Sequence, residues 1–172
     1  MYTSFSKIII LFSLISFSCF GAEKNIIFFI TDDESPTLGC YGDSIAKTPA
    51  IDALAKDGTV FQNAFATTAS CSASRSVVMS GLHNHANGQY GHQHSFHKFS
   101  SYFNVIELSL PRNLTKAGYR TGHIGKYHVS PEEVFRFETY LKGNPRNAVQ
   151  MAEATKAFIT EKNDQPFFLY FA

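Results

Sequence analysis

Two neighbouring carboxylates, Asp32 and Asp33, are the first residues in the chain whose types and spacing could do chemistry. Adjacent carboxylates repel each other unless a cation or a shared proton relieves the repulsion. A hard metal cation is one explanation of the pair. The alternative is that one Asp caps a turn while the other is solvated.

A cysteine and an arginine one helical turn apart, Cys71 and Arg75, form a second candidate. Cys71 lies at the predicted start of a helix, where unpaired backbone N–H groups and the helix dipole favour negative charge. Arg75 would project beside it, so that the two could hold an anion. The alternative is a buried structural cysteine with an unrelated surface arginine.

The third candidate is the stretch Gly125-Lys126-Tyr127-His128, directly after a predicted strand. In extended geometry Lys126 and His128 share one face, which would point a cation and a proton donor into one site. Taken alone, this spacing also arises by chance on a protein surface.

Alternating strands and helices are predicted to position these residues. Residues 25–31 form a continuously apolar run that is typical of a central strand buried on both faces. Extended apolar segments are also predicted at 119–125 and 166–171, and Val60, Phe61, Phe65 and Ala66 indicate a further strand or extended segment. This alternation predicts an α/β fold with a mostly parallel sheet.

Helix signals lie between these runs. Thr48-Pro49 and Gly58 bound a short helix over 49–57, and another is predicted to start near Ser72. The segment 105–117 is predicted to be helical with a break at Pro111. The longest helix is predicted over 146–162, with an apolar side formed by Val149, Ala152, Phe158 and Ile159.

The composition predicts a globular, exported chain. The 172 residues are 44% hydrophobic and 17% charged, a composition that excludes a disordered chain. The 15 Lys+Arg against 14 Asp+Glu give a net charge of +1, which does not point to a nucleic-acid partner. Residues 1–21 have the layout of a signal peptide. The apolar part of this segment is too short for a stable membrane span. Lipid attachment at Cys19 is an alternative. Residues 22–172 form the mature part, in which Cys40 and Cys71 could pair.

Five of the seven histidines, namely His83, His85, His92, His94 and His97, fall in the polar, least periodic stretch 83–101. Such a cluster could bind zinc. The alternative is a loop at the rim of an active site that meets a polyanionic sugar. Separately, Asn113-Leu114-Thr115 matches a glycosylation acceptor pattern.

In their order and chemistry, the three candidates together resemble the sulfatases. Asp32-Asp33 follows the first strand, the Cys71–Arg75 signature is completed by Met79-Ser80-Gly81, and Gly125–His128 matches a third family motif. Ala73 and Ser80 depart from the Pro and Thr that are usual there. The segments 87–93, 119–126 and 166–170 are similar to the heparan N-sulfatase (sulfamidase) branch. The similarity runs from about Asn25 to the last residue.

The resemblance implies an alkaline-phosphatase-like sandwich and hydrolysis of a sulfate ester or sulfamate on a sulfated sugar. It implies that Cys71 is oxidised to formylglycine, whose hydrate attacks sulfur, and that Asp32, Asp33 and residue 71 hold one calcium ion. It also implies that Arg75 stabilises the ionised hydroxyl, Lys126 holds sulfate and His128 assists proton loss from the second hydroxyl.

The partners implied by the resemblance are a sulfated glycan and a formylglycine-generating or anaerobic sulfatase-maturing enzyme. The candidate substrate within that class is N-sulfoglucosamine in heparin or heparan sulfate. Formylglycine at residue 71 would exclude a bridge between Cys40 and Cys71. Depending on the organism, the protein would be periplasmic, secreted or lysosomal. Two alternatives keep the fold: a phosphatase or phosphodiesterase, which usually has Ser or Thr as nucleophile and two zinc ions, and a non-catalytic protein that binds sulfated glycans.

Sulfatases are longer than this chain and supply further groups after the strand that matches 166–171: a histidine near the leaving group, an Asp-Asn pair for the metal and another basic residue. Calcium prefers roughly six to eight oxygen ligands, and the residues at hand supply at most about five. We therefore expect the chain to be a fragment, truncated at its C-terminus, that binds calcium weakly and turns over little substrate.

Overall fold

One parallel sheet forms the centre of the computed structural model, which describes residues 24–94 and 96–172. Its strands are β1 (Ile26–Phe29), β2 (Arg120–Ile124), β3 (Thr139–Leu141) and β4 (Phe167–Phe171). They lie in the order β1-β4-β2-β3, and each of the three pairings is parallel. The prediction of an α/β fold with a parallel sheet is confirmed. The predicted signal peptide, 1–21, lies outside the described residues.

The helices lie close to the positions that their end signals predict. They are α1 (Pro49–Asp57), α2 (Cys71–Ser80), α3 (Asn84–Asn87), α4 (Leu110–Lys116) and α5 (Ala148–Thr160), with 3-10 turns at Gly39–Tyr41 and Phe103–Leu108. Gly81 ends α2 in the left-handed conformation that glycine adopts without strain, with φ of 68°. The Asn147 side chain caps α5 by accepting a hydrogen bond from the Gln150 N–H. Within the described residues, no helix has the length and apolar character needed to cross a membrane.

The sheet is packed on both faces, because successive side chains of a strand point in opposite directions. Phe168 and Tyr170 of β4 join one apolar cluster, which also contains Met79 of α2. Phe167 and Leu169 of β4 join the other, with Phe158 of α5. Helices α2 and α5 therefore lie on opposite sides of the sheet and β4 at its centre.

The prediction of a central strand at 25–31 is wrong in position. β1 pairs with β4 alone among the described strands and forms an edge of the sheet. Ile27 is 42% and Phe29 63% exposed, so the strand is not buried on both faces. Strongly apolar composition identifies a strand, but it does not determine where that strand lies in the sheet, and here β4 and β2 occupy the centre.

Three smaller predictions also need correction. Residues 60–66 form no strand, and Phe61 and Phe65 are largely exposed. The interruption in 105–117 falls at Ser109, because Pro111 lies in the first turn of α4, where its missing N–H costs nothing. In α5, Val149 is exposed, and the buried residues are Met151, Thr155 and Phe158.

Candidate active site

The candidate residues meet at the carboxyl ends of the parallel strands, where sites of α/β sheets usually form. Asp32 follows β1, Lys126 and His128 follow β2, and Tyr170 lies near the end of β4. Helix α2 brings Cys71 and Arg75 to the same edge. The parallel order of the strands is what brings residues so distant in sequence together.

Asp32 is held by two cations. Its Oδ2 accepts a hydrogen bond from Lys126 Nζ at 2.7 Å, and its Oδ1 accepts one from Arg75 Nη2 at 3.2 Å. Arg75 is 3% exposed, and its Nη1 also donates to the Tyr170 hydroxyl at 3.1 Å and to the Lys126 carbonyl at 3.0 Å. The alternative of a surface arginine is therefore wrong.

The charges of this cluster stabilise one another. The hydrogen bond from Lys126 lowers the pKa of Asp32 most; partial burial opposes this, and the hydrogen bond from Arg75 adds to it. Burial alone would lower the pKa of Lys126, but the hydrogen bond to Asp32 and negative charge at Cys71 and Asp32 raise it instead. Both side chains therefore stay charged over a wide pH range.

Cys71 is the first residue of α2, as predicted, and is half-buried. Its Sγ lies 3.4 Å from His92 Nδ1 and 3.5 Å from His128 Nδ1. Cys71 and Cys40 are both free thiols, so the disulfide that the sequence left open is not formed. Cys71 also lines a cavity of about 380 Å³ together with Asp32, Asp33 and Arg75.

His128 faces Cys71 for a reason that differs from the prediction. The chain is not extended here. Strand β2 ends at Ile124, and both Gly125 and His128 have positive φ values, of 91° and 50°. Its Nε2 lies 3.0 Å from the Gln93 carbonyl, which only accepts, so Nε2 carries the proton and Nδ1 directs its lone pair at Cys71. Burial, supported by the charge of Lys126, lowers the pKa of His128.

The described parts of the stretch 83–101 are anchored by a short helix and by buried amide side chains. They contain α3, and the fully buried Asn87 and Gln89 fix them through hydrogen bonds to Ser76 of α2 and to the Phe99 carbonyl. The Gln93 N–H also donates to the Ser72 hydroxyl. These contacts bring His92 to Cys71, a role that sequence reasoning missed. Tyr170 was missed as well, since nothing in a buried-strand pattern marks one residue as a partner of Arg75.

The cavity residues fit a hard cation in the chemistry of their donors. Asp32, Asp33 and Glu34 all line the cavity beside Cys71, and carboxylate oxygens are the ligands that calcium prefers. Asp33 has a left-handed backbone, with φ of 54°, which turns the chain sharply after Asp32. Both oxygens of Asp32 already contact cationic side chains, so a bound cation would share this carboxylate with Lys126 and Arg75.

Comparisons with known proteins agree with this arrangement. The Sulfatase family model matches residues 24–172. The chain is 39% identical over 161 residues to human N-sulphoglucosamine sulphohydrolase, covering 90% of this chain and 32% of that protein. It is 36% identical over 133 residues to an ulvan-active sulfatase of Formosa agariphila, covering 77% of this chain and 25% of that protein.

A similar solved structure is that of a protein in complex with its substrate D-glucosamine-2-N,6-O-disulfate. It matches with a TM-score of 0.66 and 26% identity, over 86% of this chain and 33% of that chain. This likeness confirms the predicted alkaline-phosphatase-like class of fold. The chain spans about a third or less of the length of these relatives.

Proposed function

The chain belongs to the sulfatase family, and from this premise we propose that its protein hydrolyses the sulfate group of a sulfated sugar with residue 71 as the nucleophile. The observation that supports this most is the position of Cys71. It lies at the N-terminus of α2, in contact with a histidine, and lines one cavity with paired carboxylates and an arginine. Each of these groups has a task in the transfer of an anionic group.

The nucleophile is formylglycine, made from Cys71 by a sulfatase-maturing enzyme. Its hydrate has two hydroxyls on one carbon. One hydroxyl gives up its proton and attacks sulfur, the bond from sulfur to the sugar nitrogen or oxygen breaks, and the sugar leaves as a protonated amine or alcohol. The covalent sulfate ester on residue 71 is then resolved: the second hydroxyl loses its proton, and the carbonyl re-forms as sulfate leaves. An ordinary serine ester has no such route of release.

His128 is the base for the second hydroxyl. Its Nδ1 lies 3.5 Å from the Sγ of Cys71, which places it within reach of a hydroxyl on the same carbon. The Gln93 carbonyl holds the proton on Nε2, so the lone pair stays on Nδ1. The lowered pKa of His128 keeps the ring neutral and ready to accept a proton.

Lys126 and Arg75 stabilise negative charge. Arg75 is fixed by three partners on different elements, so its charge is oriented before substrate binds. Lys126 is one-third exposed and can exchange its contact with Asp32 for a sulfate oxygen. Asp32, Asp33 and residue 71 would hold one calcium ion, whose charge lowers the pKa of a hydroxyl and offsets the charge of sulfate oxygens.

We propose N-sulfoglucosamine, as it occurs in heparin and heparan sulfate, as the substrate. This rests on the similarity to N-sulphoglucosamine sulphohydrolase over 90% of the chain. We also propose that the protein is exported through the signal peptide at 1–21 to a compartment where such glycans occur.

The test is a sulfate-release assay with the full-length gene product, made together with a maturing enzyme. We expect release from glucosamine N-sulfate to exceed release from glucosamine 6-sulfate. Cys71→Ala should lower kcat by at least about 10³-fold, whereas Cys40→Ser, at the other free thiol, should leave it unchanged. Activity that survives Cys71→Ala would contradict the proposal. A preference for the 6-sulfate would contradict the substrate alone.

A further inference from the structure

Cys71, His92 and His128 form a cluster in which the proposed hydrolysis uses residue 71 and His128 but gives no role to the thiol sulfur or to His92. One ligand atom of each side chain lies within 4.8 Å of the other two, and no other trio of His, Cys, Asp or Glu ligand atoms in 24–94 and 96–172 meets this condition. All three side chains are half-buried, so they are sheltered and still reachable from solvent. Two nitrogens and one sulfur are the ligands preferred by soft or borderline cations, unlike the oxygens of the neighbouring carboxylates.

The distances agree with a tetrahedral metal centre. Zinc binds sulfur at about 2.3 Å and imidazole nitrogen at about 2.0–2.1 Å, so a tetrahedral angle puts sulfur and nitrogen about 3.5 Å apart. The Sγ of Cys71 lies 3.4 Å and 3.5 Å from the two Nδ1 atoms. A cation could therefore enter between these atoms with little movement of sulfur relative to either ring.

The neighbours of the cluster also suit metal binding. A metal-bound histidine typically donates its other N–H to a carbonyl or carboxylate, which fixes the ring and directs a lone pair at the metal. The Nε2 of His128 does this with the Gln93 carbonyl at 3.0 Å. His94 packs against both other rings, with centroids 4.6 Å from His92 and 5.2 Å from His128, and so restricts their rotation.

We propose that the cysteine form of this protein binds one zinc ion through Cys71 Sγ, His92 Nδ1 and His128 Nδ1. The fourth position is open to water. Binding displaces the thiol proton to solvent, and the thiolate becomes the sulfur ligand. This zinc site differs from the carboxylate calcium site in ligands and in chemistry, although residue 71 borders both.

The zinc site requires cysteine at residue 71 and is lost on conversion, because formylglycine has no sulfur. The cysteine form and the converted form therefore differ in which metal they prefer. The proposal does not depend on the hydrolytic activity: it concerns the thiol form, and it holds or fails even if residue 71 is never converted.

The test is a metal titration of the full-length protein made in a host without a maturing enzyme, with residue 71 verified as cysteine by mass and kept reduced. Co²⁺ serves as a spectroscopic probe, and Zn²⁺ then displaces it. We expect one ion per chain, a thiolate-to-cobalt charge-transfer band in the near ultraviolet, and loss of that band when Zn²⁺ is added. Absence of the band in the unsubstituted protein would overturn the proposal without any variant.

Substitutions identify the ligands. Cys71→Ser, His92→Ala and His128→Ala should each weaken Zn²⁺ binding by about 100-fold or more, since even partners outside the first ligand shell change metal affinity by about 10–100-fold. Cys40→Ser and His85→Ala serve as controls, because they remove a thiol and an exposed imidazole of the same chain. Equal zinc affinity in Cys71→Ser and the unsubstituted protein, or equal losses in the controls, would contradict the proposed ligand set.

Discussion

Lys126 Nζ lies 2.7 Å from Asp32 Oδ2, although 94 positions separate the two residues in the chain. The contact joins the segments that follow β1 and β2, across the carboxyl end of β4, which lies between these strands. Arg75 of α2 adds a second cation to the same carboxylate. One acidic side chain thus ties together three elements of the candidate active site.

Arg75 should be important for stability as well as for charge. Replacing it with Met keeps an apolar stem but removes its bonds to Tyr170, Asp32 and the Lys126 carbonyl. Because these partners lose a buried donor, we expect the free energy of unfolding to fall by about 2–4 kcal/mol in urea denaturation. Arg112→Met is the matched control, since half-buried Arg112 makes one hydrogen bond, at an exposed position, and the substitution should change the free energy of unfolding by less than about 0.5 kcal/mol. Equal losses in both variants would contradict this role.

Gly125 should tolerate no side chain. It has a φ of 91°, and a Cβ there would collide with the carbonyl of Ala172, which accepts a hydrogen bond from the Lys126 N–H. We expect Gly125→Ala to lower stability by about 3 kcal/mol or more, because backbone strain and a clash add together. Gly118→Ala isolates the strain: its φ is 94° with nothing near the added Cβ, so about 1–2 kcal/mol is expected. Thermal unfolding of the two variants measures the difference, and similar losses would show that the clash is relieved.

His123 should make the protein sensitive to acid. It is 3% exposed and stacks on Tyr170 at 5.4 Å, and burial lowers its pKa from 6.5 to about 4. The unfolded chain therefore binds more protons between these values, so stability is complete above pH 6.5 and declines by about 3 kcal/mol as the pH falls to 4. His123→Phe removes the titrating imidazole and should reduce the dependence of the free energy of unfolding on pH, measured by urea denaturation at several pH values. His85→Phe, at an exposed site, should not change that dependence. An unchanged dependence in His123→Phe would rule out His123 as the cause.

Calcium binding should depend on Asp33. It lines the cavity with Asp32 and Cys71, and removing one charged oxygen donor from a hard-cation site weakens binding. In calorimetric titration of the full-length protein, Asp33→Asn should lower calcium affinity by about 10-fold or more. Asp57→Asn, at the exposed end of α1, should bind as the unsubstituted protein does. Chelation should abolish sulfate release, and added calcium should restore it.

Local signals in the sequence predicted the elements well. The run of alternating strands and helices specified a parallel sheet. The end signals of α1 placed that helix at its observed bounds, and the predicted start of α2 lies within one residue of the observed start. The order of strands was not predictable in this way, because it depends on packing between distant segments. That is why the apolar run at β1 was assigned to the centre while it lies at an edge.

The sequence predicted the residues of the candidate site but not the contacts between them. Asp32, Cys71, Arg75, Lys126 and His128 were all identified from type and spacing, and they meet at one edge of the sheet. The burial of Arg75 was missed, because its partners lie 51 and 95 positions away. The approach of His92 to Cys71 was missed because it results from the buried amides of Asn87 and Gln89 that fix the stretch 83–101.

The chemical state of residue 71 tests the central claim most directly. The measurement is mass spectrometry of the peptide that contains this residue, taken from the active full-length protein after maturation. A loss of about 18 Da relative to cysteine is expected, because an oxygen replaces sulfur and two hydrogens. An unmodified thiol at residue 71 in protein that releases sulfate would contradict the account.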